Sequence, residues 1–199
     1  MWDERYQENK PTYGDAPNDF LVEQIGRLRQ GTCLCLAEGQ GRNAVWIAEQ
    51  GFAVTAMDQS SVGMEKAGEL AGARGVALTT VVGDLADFDL GADKWDNIVS
   101  IFGHLPESLR RDVHRRVVEA LRPGGVFLVE AFTPDQLATE GTGGPSDPDM
   151  LLTVGKLTAE LKGLEVLFAQ EIIRPVNEGD YHKGDCAVVQ FIARKGAGE

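Results

Sequence analysis

The residues with the clearest chemical potential lie between Cys33 and Ser60, in CLCLAEGQGRNAVWIAEQGFAVTAMDQS. Gly39, Gly41 and Ala44 form a G-x-G-x-x-A pattern where an apolar run gives way to a helix-like segment. Small residues at such a turn let backbone approach a ligand and let the helix pack close to the strand. Asp58 ends the next apolar run, 19 residues after Gly39. A carboxylate there accepts hydrogen bonds from both hydroxyls of a ribose and repels a 2′-phosphate. The pattern points to an adenosine-containing ligand without that phosphate. By itself it serves NAD and S-adenosylmethionine equally.

Further polar groups fall at the ends of later apolar runs. VVGDLADF brings Asp84 and Leu85 to the same sheet edge, where a carboxylate and the next backbone N–H can read an adenine. His104, in IFGHLP, stands beyond the end of the fourth run, where parallel sheets meet their ligands. It either faces a substrate or steadies the loop before Pro106. Tyr181 and His182 lie with Glu178 in NEGDYHKG, a polar tip whose ordinary role is solvation. Trp2, Tyr6 and Tyr13 make the N-terminal segment aromatic, suited either to closing over a sulfonium or to packing the first helix. Asn43 and Arg42 open the helix after the glycines, Asn43 to stabilise the loop and Arg42 to meet a carboxylate.

The elements that must position these groups alternate along the chain. Apolar runs near 32–37, 53–57, 76–82, 96–101 and 125–132 read as strands, with helices near 41–50, 61–73 and 106–121. Asn18 to Gln30 reads as an amphipathic helix capped by Asn18. RPGG at 122–125 stops the third of the intervening helices. This rhythm implies a parallel sheet covered on both faces. After Phe132, residues 133–150 read as a long loop, with the glycines of GTGGP at 141–145 suited to a moving lid. A helix near 149–161 and strands near 164–174 and 185–194 follow, joined by a hairpin tip RPVNEGDYHKGD. No repeat or linker divides the chain, so residues 1–199 are expected to form a single domain.

Bulk composition narrows the partners. A formal charge of −12 disfavours nucleic acid, whose binding runs through phosphate neutralisation. In LRRDVHRRVVEALR the apolar residues recur at helical spacing, so its arginines read as a solvated face and His114 as a surface residue. Three cysteines without framework spacing read as free thiols of a reducing compartment, and no metal site is expected. The charged N-terminus lacks a signal-peptide core, and no apolar run approaches the roughly 20 residues that span a bilayer. A cytoplasmic protein with a small-molecule substrate is expected, its oligomeric state unreadable.

Taken together, the glycine loop, Asp58, GDL at 83–85, the run at 95–101 and LRPGG stand in an order that resembles class I S-adenosylmethionine-dependent methyltransferases. EGQGRNAVWIAEQG followed by VTAMDQS, with YGDAPNDFL upstream, is similar to the small bacterial tellurite-resistance and thiopurine methyltransferase group. The resemblance implies a Rossmann-like, doubly wound α/β fold, a seven-stranded, mostly parallel sheet with an antiparallel last strand and helices on both faces. It implies S-adenosylmethionine as cofactor, S-adenosylhomocysteine as product, and residues 1–30 as a segment covering cofactor and substrate. Tyr13, Glu38, Gly39, Gly41, Asn43, Asp58, Gln59, Asp84, Leu85 and Ser100 would hold the cofactor. His104, Tyr181 and His182 would face the acceptor, for which the family tilts toward soft nucleophiles such as a thiol or a metalloid oxyanion. Cys35 stands where the family has an acid and Ala37 where it has a glycine, leaving Glu38 as the nearby carboxylate. Two competing readings are an NAD-binding reductase and a non-catalytic protein that binds an adenosyl ligand.

Overall fold

The computed structural model describes residues 2–7 and 11–197, so residues 1 and 8–10 of the expected covering segment lie outside the described residues. Two short helices, α1 (Trp2–Tyr6) and α2 (Asp19–Gln24), precede the first strand. Then come β1 (Thr32–Leu36), α3 (Arg42–Glu49), β2 (Ala53–Asp58), α4 (Ser61–Arg74), β3 (Thr79–Val82), β4 (Trp95–Ile101), α5 (Glu107–Ala120) and β5 (Leu121–Phe132). α6 (Val154–Glu160), β6 (Leu164–Glu178) and β7 (His182–Lys195) complete the order. The seven strands form one sheet, β3-β2-β1-β4-β5-β7-β6. β1 to β5 pair in parallel, and β7 runs antiparallel to both β5 and β6.

The alternation of side chains along a strand divides the core in two. Cys33 and Cys35 of β1 point with Val99 toward α2, α3 and α4, where they pack among Phe20, Leu21, Ala44, Ile47 and Met64. Leu34 and Leu36 point the other way, onto Val113 and Val117 of α5 and Leu157 of α6. All three cysteines are free and buried. Cys35 is therefore a core residue, and a charged side chain at that position would face the apolar side of α3.

Several boundaries depart from the expected ones for local reasons. α2 stops at Gln24 and tightens into a 3-10 turn, because Arg29 N–H donates to Asn97 Oδ1 and draws the chain onto the sheet. Asn18 does cap α2, accepting from Leu21 N at 3.0 Å. β3 starts only at Thr79, since Val76 N–H is spent on Ala71 O in the C-terminal cap of α4. No continuous helix spans 149–161: Leu151 and Leu152 are buried in extended backbone, Leu152 N–H pairs with Phe132 O, and Thr153 caps α6. The hairpin strands run through most of the expected tip, leaving only Gly179–Tyr181 as the turn. The arginine-rich helix is only partly a solvated face. Arg111 and Arg115 are exposed, but Arg110 and His114, one turn apart, face inward onto Glu160 of α6 at 2.9 and 2.7 Å. Those contacts hold the Glu160 carboxyl down at about 2 and make His114 a buried residue rather than a surface one.

Candidate active site

Beyond the C-terminal ends of β1 to β4 lies a cavity of about 830 Å³, within the range of small-molecule pockets. α1, Tyr13, the β6–β7 turn and residues 142–145 close over it. No group of three or more His, Cys, Asp or Glu placed to hold a metal ion occurs among the described residues.

On the β1–β3 side, the acidic groups are fixed by backbone. Asp58 Oδ2 accepts from Gly39 N at 2.9 Å and Oδ1 from Ser60 N at 2.9 Å. A carboxylate has about four acceptor positions, so Asp58 keeps capacity for the hydroxyls of a diol. Burial pushes its carboxyl up, while the Ser60 and Gly39 N–H groups pull it back. Glu38 Oε1 accepts from Asn43 N and Ala44 N at 3.0 and 2.8 Å, capping α3 where Gly41 has no side chain to offer. Burial raises the Glu38 carboxyl to about 7, against the pull of those N–H groups and of Arg42. Asp84 and Gln59 are exposed on the cavity wall, and Leu85 is buried beside them. Ala37 takes a left-handed conformation with φ 49°, at a cost of about 1–2 kcal/mol relative to glycine.

Three residues expected to touch the cofactor lie outside the cavity lining. A Cβ on Gly39 would sit 2.6 Å from Tyr6 Oη, and one on Gly41 would sit 2.6 Å from Ala67 Cβ. Gly39 thus lets the N-terminal cover settle on the loop, and Gly41 lets α3 and α4 meet. Neither residue lines the cavity, although Gly39 offers its N–H to Asp58. Ser100 is also absent from the lining; its hydroxyl lies behind the turn, 2.9 Å from where a Cβ of Gly103 would be.

The opposite side is aromatic. His182 is 8% exposed, and its ring lies 4.7 Å from Tyr13, 4.8 Å from Phe102 and 5.1 Å from Phe132. Its Nδ1 is buried without a hydrogen-bond partner. Burial lowers this imidazole to about 3, so it is neutral at physiological pH. Tyr181 is 45% exposed at the rim, 5.9 Å from Tyr13. His104 lines the cavity too, but both ring nitrogens are committed to backbone: Nδ1–H donates to Phe102 O at 3.0 Å, and Nε2 accepts from Phe132 N at 3.1 Å. Burial holds it at about 4. With both nitrogens bonded to backbone, the geometry favours the structural alternative for His104, a histidine that steadies the loop before Pro106, over action on an acceptor.

A buried ionic network joins the parts that close the cavity. Glu178, expected to be solvated, pairs with Arg42 and Arg174 and accepts from Asn18 Nδ2 at 2.8 Å. Arg174 Nε donates in turn to the fully buried Glu130 at 2.8 Å. Asn43 Oδ1 accepts from Asn18 N at 2.9 Å, and Asp180 N–H donates to Thr12 O at 3.2 Å. Asn43 also lines the cavity. The cover, the glycine loop and the hairpin are therefore one connected unit. The 142–145 segment lies in the loop expected to act as a lid, whereas Arg5, Phe102 and Met150 were not singled out as lining residues. Of these only Arg5 left a trace, its place among the aromatics of WDERY.

Residues 33–125 match the family described as a methyltransferase domain. A 2-heptyl-1-hydroxyquinolin-4(1H)-one methyltransferase of Mycobacteroides abscessus is 27% identical over 144 residues, covering 68% of this chain. The alignment spans 61% of that relative's length. Two solved structures share the fold. One, from a study of the conversion of a disulfide bond into a thioacetal group during echinomycin biosynthesis, has TM-score 0.79 at 19% identity, over 100% of this chain and 91% of its own. The other is TehB from Haemophilus influenzae, with TM-score 0.74 at 20% identity, over 98% of this chain and 65% of its own. Residues 33–125 thus resemble a methyltransferase domain, and the solved structures show the same fold over nearly the whole chain. No helix among the described residues is long and apolar enough to cross a membrane.

Proposed function

We propose that this chain, acting as one unit over residues 1–199, is a class I methyltransferase that transfers a methyl group from S-adenosylmethionine to a flat, hydroxyl-bearing small molecule. The observation that carries the acceptor class is His182, whose buried Nδ1 lacks a partner inside an aromatic chamber. An unpaired buried polar nitrogen costs about 1–3 kcal/mol until it gains a partner, and in the Nε2–H tautomer Nδ1 is an acceptor. An acceptor O–H would be that partner, and ring faces on several sides favour a planar molecule. The hydroxyquinolinone methyltransferase among the relatives supports the same class.

The residues present fit the cofactor. Asp58 retains acceptor capacity for the ribose hydroxyls, with Gln59 beside it; Asp84 and Leu85 stand where an adenine would be read; and Glu38 is the carboxylate available to the amino-acid end. Tyr13 joins the two halves. When bound, S-adenosylmethionine supplies an activated methyl carbon. His182 Nδ1 accepts the hydroxyl proton's hydrogen bond and aims the oxygen. An imidazole held at about 3 is a weak base, so its role is orientation, and an acidic hydroxyl needs little more. Tyr181 and the 142–145 segment limit water at the mouth.

Parallel calorimetric titrations with S-adenosylmethionine, S-adenosylhomocysteine and NAD test the cofactor half; binding of NAD alone would overturn it. A turnover screen then sets 4-hydroxyquinolines and N-hydroxyquinolinones against aliphatic thiols and tellurite. Methylation of thiols or tellurite with none of the hydroxyl compounds would restore the soft-nucleophile expectation.

A further inference from the structure

The charged groups lining the cavity are mostly acidic: Glu38, Asp58, Asp84 and Asp180. Two arginines stand against them. Arg42 is committed to Glu178 and to Ala16 O. Arg5 is not committed to any carboxylate among the described residues. Its guanidinium lies 5.0 Å from the Trp2 ring centroid and 4.8 Å from that of Tyr181, and it donates through Nη1 to Tyr13 Oη at 2.9 Å. A guanidinium has five N–H donors in a rigid fork. One bond to a phenol uses a single donor and neutralises no charge. Contact with two ring faces restrains the guanidinium without using its remaining N–H donors.

We propose that Arg5 is the receptor for a carboxylate inside the cavity. This deepens the methyl-transfer reading and rests on it. That reaction brings two molecules that can present the group: the amino-acid end of the cofactor and an acidic acceptor. Arg5 touches elements that serve both, since Tyr13 and Tyr181 adjoin His182 while Trp2 stacks on Tyr6, which lies over Gly39. A fork-to-carboxylate pair is the strongest contact this position can make, and it suits an arginine held by rings with no carboxylate partner among the described residues.

The test compares the wild-type chain with Arg5→Met, which keeps length and stacking area but removes the charge. The first arm titrates S-adenosylhomocysteine against 5′-methylthioadenosine, which lacks the amino-acid end. If the cofactor is the source, the variant loses roughly tenfold to a hundredfold in affinity for the first and stays within about threefold for the second. The second arm, with S-adenosylhomocysteine bound, titrates 4-hydroxyquinoline-2-carboxylate against 4-hydroxyquinoline. If the acceptor is the source, the wild type prefers the carboxylate and Arg5→Met abolishes that preference. Should Arg5→Met lower the melting temperature by more than about 5 °C, Arg5→Lys carries the same comparison, keeping charge and losing the fork. The assignment is overturned when S-adenosylhomocysteine binds both proteins equally and neither discriminates the quinolines. Failure of the wild type to bind either adenosyl ligand would instead overturn the cofactor reading, and the Arg5 assignment with it.

Discussion

Glu38 and Asp58, on one side of the cavity, have backbone N–H groups donating to them from residues within 19 positions in sequence. His182, on the other, is held by ring contacts to Tyr13, Phe102 and Phe132, and its Nδ1 has no partner. The first side is a finished frame with acceptor capacity to spare. The second is an apolar enclosure with an unmet polar demand. A cofactor common to many chains suits the former, and a particular acceptor suits the latter, because the missing donor must arrive with the molecule.

The largest effect that would break this comparison is at Asp58. Asp58→Ala removes the acceptor for Gly39 and Ser60 N–H as well as for a ribose, so affinity for S-adenosylhomocysteine is expected to fall about a hundredfold, measured by calorimetry. Unchanged affinity would show that the frame does not hold the cofactor. Next, His182→Phe fills the same space without a polar atom. Turnover on the best hydroxyl acceptor should drop about thirtyfold while S-adenosylhomocysteine affinity stays within about threefold. A matching fall in both would mean that the two halves are not separable.

Glu38 sharpens the comparison through pH. Its carboxyl, raised to about 7, is partly protonated near neutrality in the free protein. A ligand ammonium beside it favours the charged form and lowers the pKa in the complex. Affinity is then full above about pH 7 and is lost as the pH falls below it. Between pH 8 and 6 the expected weakening is about tenfold, with proton release on binding visible as a buffer-dependent calorimetric enthalpy. A flat profile would remove Glu38 from the amino-acid end. The smallest effect on chemistry is expected at His104. His104→Ala leaves Phe102 O and Phe132 N–H without partners, costing about 1–3 kcal/mol in thermal unfolding, while turnover of the folded protein changes less than about threefold. A large turnover loss at unchanged stability would return it to the acceptor.

The same division explains what could be read from sequence. The alternation of strands and helices and the acidic frame rest on short-range spacing, with Gly39, Asp58 and GDL at 83–85 each placed by its own strand end. The enclosure draws on residues 5, 13, 102, 142–145 and 181–182, which only the folded chain brings together. His104 and His182 were indistinguishable as letters. One turned out to have two backbone partners and the other an unpartnered Nδ1, a difference of environment that spacing does not encode. Arg110 and His114 misled for a related reason: a charged face looks solvated until Glu160, nearly fifty positions later, arrives opposite it.

The bond from Asn18 to Glu178 spans 160 positions, and the Thr12–Asp180 contact a similar distance. Closing so long a loop costs only slightly more than closing a shorter one, about 0.6 kcal/mol per doubling of length, and the sheet between the two ends holds them near each other. A roof tied to the sheet by such contacts is expected to open without unfolding the strands beneath it, which faster amide exchange at Asp180 than in β1 and β4 would show.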